Sequence, residues 1–132
     1  FILQSFNNIS PTVYGQGKQT RDFTYVTDAA KAYIQLGITP KIEGEIFNIG
    51  YGKAITILEL AKMIAKLTKS KSKPKVKGNL RSGETPRLLC DNSKTKRILK
   101  WKPETNLEEG LQKTIEYYKD KKHQYYQLKL MT

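Results

Sequence analysis

Two arginines stand in glycine-rich, polar runs: Arg21 in 17-GKQTRDF-23 and Arg81 in 79-NLRSGET-85. A guanidinium presents a planar fork that meets two phosphate oxygens at once, and loops at strand ends are where binding residues collect. The alternative for each is an ion pair with the neighbouring carboxylate, Asp22 or Glu84, and the residues alone leave the two readings balanced. Other chemistry is sparse. Cys90 is the only cysteine and His123 the only histidine, so no intrachain disulfide or cysteine-zinc site can form. A Ser-His-Asp or Cys-His site would depend on a histidine in the polar tail 123-HQYYQLKL-130, and no metal is expected. Tyrosine-lysine pairs four apart could lower a tyrosine pKa on a helix. Gly15 and Gly17 break the Tyr14/Lys18 pair, while Tyr117/Lys121 and Tyr118/Lys122 have a spacing that terminal amphipathic helices show by chance.

The stretch 15-GQGKQTRDFTYVTDAA-30 looks like half of a phosphate loop. A dinucleotide fingerprint, G-x-G-x-x-G, needs a third glycine where Thr20 stands and a helix where a strand is expected. The mononucleotide pattern fails because Gln19 follows Lys18, and 50-GYGKA-54 fails because Ala54 follows Lys53. Without a helix N-terminus behind them, the loop amides lose the dipole that makes such loops anion sites. The glycines therefore read as a turn that aims Arg21.

These residues need elements to place them. Residues 12-TVY-14 and 23-FTYV-26 read as short strands joined across the glycine turn, with Thr27 capping a helix 28-DAAKAYIQL-36 that Gly37 ends. Asp28 is expected to cap that helix. A buried strand is expected at 45-EIFNIG-50. Thr56 and Glu59 make a capping box ahead of a stripe of Ile57, Leu60, Ala61, Ile64 and Leu67. Lysines alternate from Lys69 to Lys77, and an extended chain would put all five on one face, as a guarded strand edge or as an anion-binding surface. A short strand at 88-LLCDN-92 and a brief helix 94-KTKRIL-99 capped by Ser93 follow. Thr105 and Glu108 form a second box opening a helix to about Lys122, with Leu107, Leu111, Ile115 and Tyr118 on one face. Residues 123–132 are expected to fray. Alternating strands and helices indicate α/β or α+β.

The chain has 132 residues, 38% of them hydrophobic, which suits one domain with a core. Phe1 stands where an initiator methionine is usual, so a piece of a longer protein or a processed product is expected. No apolar run reaches the roughly 18–20 residues of a membrane span, and no signal peptide is evident. A cytoplasmic location is the expectation. The net charge of +12 lies entirely in 53–102, which holds fifteen basic and three acidic side chains. Such asymmetry fits an anionic partner or a solvated lysine-rich surface. A stand-alone nucleic-acid module is the rival reading. Against it, the basic run has no interleaved aromatics and no recognised DNA-reading motif.

Taken together, 13-VYGQGKQTRDFTYVTDAAKA-32, 47-FNIGYGKAITILELAKMI-64, 81-RSGETPR-87 and 90-CDNSKTKRILKWKPETNLEEGLQKTIEYY-118 resemble the C-terminal part of the extended short-chain dehydrogenases/reductases, the NAD-dependent nucleotide-sugar epimerases and dehydratases. UDP-glucose 4-epimerase-like members are the most similar. The resemblance implies an α/β fold: residues 1–132 would be the single C-terminal, substrate-binding portion, with short strands and about four helices, lacking the dinucleotide-binding Rossmann half. It also implies that Arg21 and Arg81 grip a nucleotide-sugar diphosphate from two sides and that Glu84 accepts hydrogen bonds from the ribose hydroxyls. Thr12 to Tyr14 would lie along the base, and Asn48 would stand near the substrate or hold its turn. Ser82 and Glu84 depart from the proline and aspartate that many members carry there. NAD, which in the family oxidises the sugar at C4, would bind the missing N-terminal half together with the catalytic tyrosine and lysine. The piece alone would be inactive. The implied partners are a nucleotide-diphosphate sugar, that Rossmann half and a second copy in a homodimer. A 4,6-dehydratase of the same family is the alternative activity, and a structural remnant without ligand affinity is a third reading. Helix 57–67 and strand 45–49 are expected to leave an exposed apolar patch on the isolated piece.

Overall fold

The computed structural model describes residues 1–79 and 82–119. Arg81, His123, Lys121, Lys122 and the tail 123–132 lie outside the described residues. Within them the chain folds as α1 (Ile2–Phe6), β1 (Thr12–Tyr14), β2 (Thr20–Asp22), α2 (Val26–Ile38), β3 (Ala54–Thr56), α3 (Ile57–Leu67), β4 (Lys75–Lys77), α4 (Ser93–Leu99) and α5 (Leu107–Lys119). This is an α/β arrangement with five described helices, one more than the sequence suggested.

The strands form two separate pairs rather than one sheet. β1 runs parallel to β4, with Val13 opposite Val76, and β2 runs antiparallel to β3, with Arg21 opposite Ile55. β1 and β2 follow each other across the glycine turn but do not pair with one another. Their glycine turn instead receives the start of α3, because Leu58 N–H donates to the Gly17 carbonyl at 3.1 Å and Ile57 N–H to the Gln19 carbonyl at 3.0 Å. The second strand lies at 20–22, not 23–26, because Thr20 gains a partner on its other edge too: it bridges Arg87, with Thr20 N–H on the Pro86 carbonyl and Leu88 N–H on the Thr20 carbonyl.

α3 forms as its sequence dictates. Thr56 Oγ1 accepts from Glu59 N–H at 3.1 Å, and the Glu59 carboxylate accepts from Thr56 N–H at 3.1 Å, closing the capping box. Leu60, Ala61 and Ile64 are buried, and the helix packs against α1, β1 and α5. α3 therefore contributes no exposed apolar patch. That patch lies on the outer face of α2, where Val26, Tyr33, Ile34 and Ile38 are each at least 65% exposed.

α2 begins earlier and ends later than expected. Tyr25 precedes it, Thr27 lies inside it, and it runs through Gly37 to Ile38, where the Thr39 hydroxyl donates to the Gln35 carbonyl at 2.7 Å. Asp28 does not cap the helix. Its carboxylate accepts from Glu104 N–H at 3.1 Å and Thr105 N–H at 2.8 Å, and its carbonyl accepts the Trp101 indole N–H at 3.0 Å. Those bonds seat α2 on the core of Ala32, Leu99 and Trp101, joined by Leu36, Phe47 and Ile49.

Residues 45–50 form no strand, and Ile46 is 80% exposed. Side chains of α4 and the residue before it stand in for a neighbouring strand: Lys94 Nζ donates to the Ile46 carbonyl, Thr95 Oγ1 to Asn48 and Asn92 Nδ2 to Gly50. That use of Asn92 leaves Asp91 to hold Ser93 N–H at 2.9 Å, so Ser93 is the first residue of α4 rather than its cap. The expected strand at 88–92 reduces to the single bridge at Arg87. The second capping box does not form, and a single cap bond one residue later replaces it. Thr105 is buried with its N–H on Asp28, and Asn106 Oδ1 accepts from Glu109 N–H at 3.0 Å.

The five-lysine face does not form. Only Lys75 and Lys77 share a strand, Lys69 turns with φ 54°, and the chain between is tied to Asn8 through Lys71 N–H and the Ser72 hydroxyl. Among the described residues no helix is long and apolar enough to cross a membrane, and no group of three or more His, Cys, Asp or Glu could hold a metal.

The capping box is testable. Thr56→Ala should lower stability by about 1 kcal/mol at neutral pH, read by chemical denaturation. The Thr56 hydroxyl, then its backbone N–H, hold the Glu59 carboxyl below its ordinary 4.5. A depressed carboxylate stabilises the fold above its unfolded pKa and loses that contribution as the pH falls through the folded value. The gap between wild type and Thr56→Ala should therefore narrow as the pH drops below 4.5.

Candidate functional site

β2 carries Arg21 between two neighbours, β3 on one edge and residues 86–88 on the other. The guanidinium curls back along this second edge. Its Nη1 donates to the Thr20 carbonyl at 2.7 Å and the Thr85 carbonyl at 2.9 Å, and Nη2 reaches Glu84 Oε1 at 3.4 Å. Both side chains of that ion pair keep about a fifth of their surface open, so the cluster is anchored yet reachable. Arg21 thus pairs with Glu84, not with its neighbour Asp22.

Gln19 extends the cluster. It is buried, and its Nε2 donates to Glu84 Oε1 at 3.3 Å and to the Tyr14 carbonyl at 3.1 Å. Two acceptors on one nitrogen fix the amide's orientation, and its Oε1 is left without a partner. The end of β1, the glycine turn, β2 and the 84–85 segment are thereby tied together at one place. Gly17 makes the close approach possible. Its φ is +69°, and a Cβ there would lie 2.8 Å from Leu58 Cβ and 2.9 Å from Val13 Cγ1.

Beside the cluster lies a groove of about 590 Å³ lined by Arg21, Asp22, Asn48, Leu89, Cys90 and Asp91, with Tyr33, Leu36, Phe47, Ile49 and Leu88 completing it. Asn48 Nδ2 donates to the Asp91 carbonyl at 3.4 Å, which joins two walls of the groove. Burial raises the Cys90 thiol above its ordinary pKa, and the Asp22 and Asp91 carboxylates push the same way. A protonated, half-buried thiol is a poor nucleophile.

Of the sequence-derived residues, the structure brings Arg21, Glu84 and the Tyr14 carbonyl into one network and places Asn48 on the groove beside Arg21. Thr12 sits two residues earlier on β1, in register with Lys75. Gln19 and Asp22 were missed as site residues. Their signal was position: both flank Arg21 within two residues, Asp22 on β2 and Gln19 just before it, and that strand is too short to satisfy its surroundings by ladder bonds.

A family model described as GDP-mannose 4,6 dehydratase matches residues 3–114. The chain belongs to the NAD-dependent epimerase/dehydratase family. Within this epimerase/dehydratase family, UDP-glucuronic acid decarboxylase 1 of Danio rerio is 38% identical over 118 residues, covering 89% of this chain and 28% of that protein. A putative UDP-glucose 4-epimerase of Methanocaldococcus jannaschii is 36% identical over 120 residues, 91% of this chain and 38% of that one. The crystal structure of UDP-glucuronic acid 4-epimerase from Bacillus cereus, in complex with UDP-glucuronic acid and NAD, superposes with a TM-score of 0.82 at 31% identity. It is matched over 90% of this chain and 38% of its own. The chain thus spans about a third of the length of the family members it matches.

The glycine turn yields a prediction that needs no ligand. Gly17→Ala forces a β-carbon into Leu58 and Val13 at a left-handed position, so it should cost roughly 1–3 kcal/mol from overpacking alone. Thermal melting of the two proteins side by side reads the difference.

Proposed function

We propose that this chain is the C-terminal, nucleotide-sugar-binding portion of an NAD-dependent epimerase similar to UDP-glucose 4-epimerase. The observation that carries the reading is the cluster in which Arg21 and Glu84, 63 residues apart, meet beside the groove with the Tyr14 carbonyl linked through Gln19. A diphosphate needs a fixed guanidinium, a ribose needs an acceptor for its hydroxyls, and a base needs backbone groups along its edge. Arg21, Glu84 and the Thr12–Tyr14 strand supply these in that order. Arg81 is proposed to meet the diphosphate from the other side, and Asn48 to face the sugar. Two family relatives support the ligand class, since one is a putative UDP-glucose epimerase and another was solved with UDP-glucuronic acid. The description of the matched family model favours a 4,6-dehydratase as the second reading.

The described residues do not fit NAD. Of the two glycine-rich runs, 15-GQGKQ-19 is followed by β2 and 50-GYGKA-54 runs into β3, so neither has the helix N-terminus that a pyrophosphate loop needs behind it. The cofactor is therefore assigned to the remainder of the family fold. This chain's part in the reaction is to bind and orient: a guanidinium already held by two carbonyls meets the diphosphate without rearrangement of its strand, which fixes the sugar relative to the reacting centre. The outer face of α2, with Val26, Tyr33, Ile34 and Ile38 exposed, is proposed to be covered by that remainder or by a second copy in a homodimer.

Losing a buried charged contact of this kind costs about 2–5 kcal/mol. In the complete natural protein, Arg21→Ala and Arg81→Ala should each raise KM for the nucleotide sugar by more than about tenfold. Steady-state kinetics on UDP- and dTDP-sugars check this, and unchanged constants in both variants would remove the proposed function.

A further inference from the structure

Asp22 follows Arg21 on β2, yet its carboxylate turns away from the guanidinium and is taken up by backbone. Oδ1 accepts from Tyr51 N–H at 3.1 Å, and Oδ2 accepts from Gly52 N–H at 2.8 Å and Cys90 N–H at 3.2 Å. These donors come from two segments outside the named strands, and within those segments Asn48, Ile49 and Leu88 to Asp91 wall the groove. We propose that Asp22 is a positioning residue for nucleotide-sugar binding: it clips the walls carrying Asn48 and Leu89 to the strand carrying Arg21 and so sets the width of the groove. The inference rests on the reading that this groove takes the nucleotide sugar.

Two further features belong to the clip. Gly50 is buried where a β-carbon would stand 2.2 Å from Cys90 Cβ and 3.2 Å from Asp22 Oδ2, so only glycine lets the two walls close on the carboxylate together. Asparagine cannot replace Asp22, because its amide offers one acceptor oxygen and would turn an NH2 group toward an N–H donor. A matched carboxylate stands elsewhere. Asp28 accepts two backbone N–H groups, is 1% exposed and lines no part of the groove. Stability and positioning can therefore be told apart.

The test uses the complete natural protein, titrated calorimetrically with UDP-glucose and dTDP-glucose well below the melting temperature. Asp22→Asn should raise Kd for the better-bound sugar nucleotide by between about tenfold and a hundredfold, the effect of ångström-scale misplacement. Asp28→Asn should lower the melting temperature while leaving Kd within about twofold of wild type, since it removes no part of the groove. Should Asp22→Asn fail to fold, Gly50→Ala gives the same weakening by pushing Cys90 off the clip, and Gly50→Ala/Cys90→Gly restores binding. Wild-type affinity in Asp22→Asn, or in Gly50→Ala where that variant stands in for it, overturns the inference, as does an equal loss in Asp28→Asn. Arg21→Ala calibrates the experiment. If it binds as wild type, the groove reading and the inference fall together; if it alone weakens binding, only the positioning role falls.

Discussion

Strands of three residues cannot satisfy the backbone around them, and this shortage of ladder bonds shapes the whole molecule. Among the described residues, four such strands in two separate pairs leave the long connections at 45–52 and 100–106 without sheet partners, and 84–92 with a single bridge at Arg87. Unpaired buried N–H and C=O groups each cost about 1–3 kcal/mol, so something other than a sheet must bond them. Side chains do so here. Asp22 takes three N–H groups, Asp28 two, and Asn92, Thr95, Lys94 and Gln19 donate to carbonyls that a neighbouring strand would otherwise serve.

The same device explains why Arg21 can act as a fixed charge. A free arginine side chain carries about 2 kcal/mol of rotamer entropy that binding must overcome. In this fold two carbonyls and Glu84 have already ordered the guanidinium, and β2 is held on both edges at Thr20. The ion pair with Glu84 is long, 3.4 Å, and about a fifth exposed. Such a pair contributes little to folding in itself. Under the proposed function, it is the contact that gives way to a phosphate oxygen on one side and a hydroxyl on the other.

How much of this was legible in the sequence follows from where each partner lies. α3 was readable because its cap, its reciprocal Glu59 and its apolar stripe all fall within one short window. The Arg21 and Glu84 runs were readable as a family pattern, and the structure joins them. What failed to show were bonds between residues far apart in sequence. Asp28 looked like a helix cap because nothing nearby indicates that Glu104 and Thr105 will claim it. Residues 45–50 have the composition of a strand, but their partners are the side chains of Asn92, Lys94 and Thr95, which periodicity cannot register. Once Asn92 is drawn to Gly50, the start of α4 follows; once Thr105 is drawn to Asp28, Asn106 caps α5 in its place.

The charge distribution fits the same frame. Between Glu59 and Glu84 the chain has no acidic residue and seven lysines, yet only Lys75 and Lys77 stand on a strand, and among the described residues that strand has β1 on one side alone. An open strand edge invites pairing with another chain, and lysines on it oppose that by repulsion and by the cost of desolvating an ammonium. All three residues of β4 are exposed, so its lysines meet this need without burying charge.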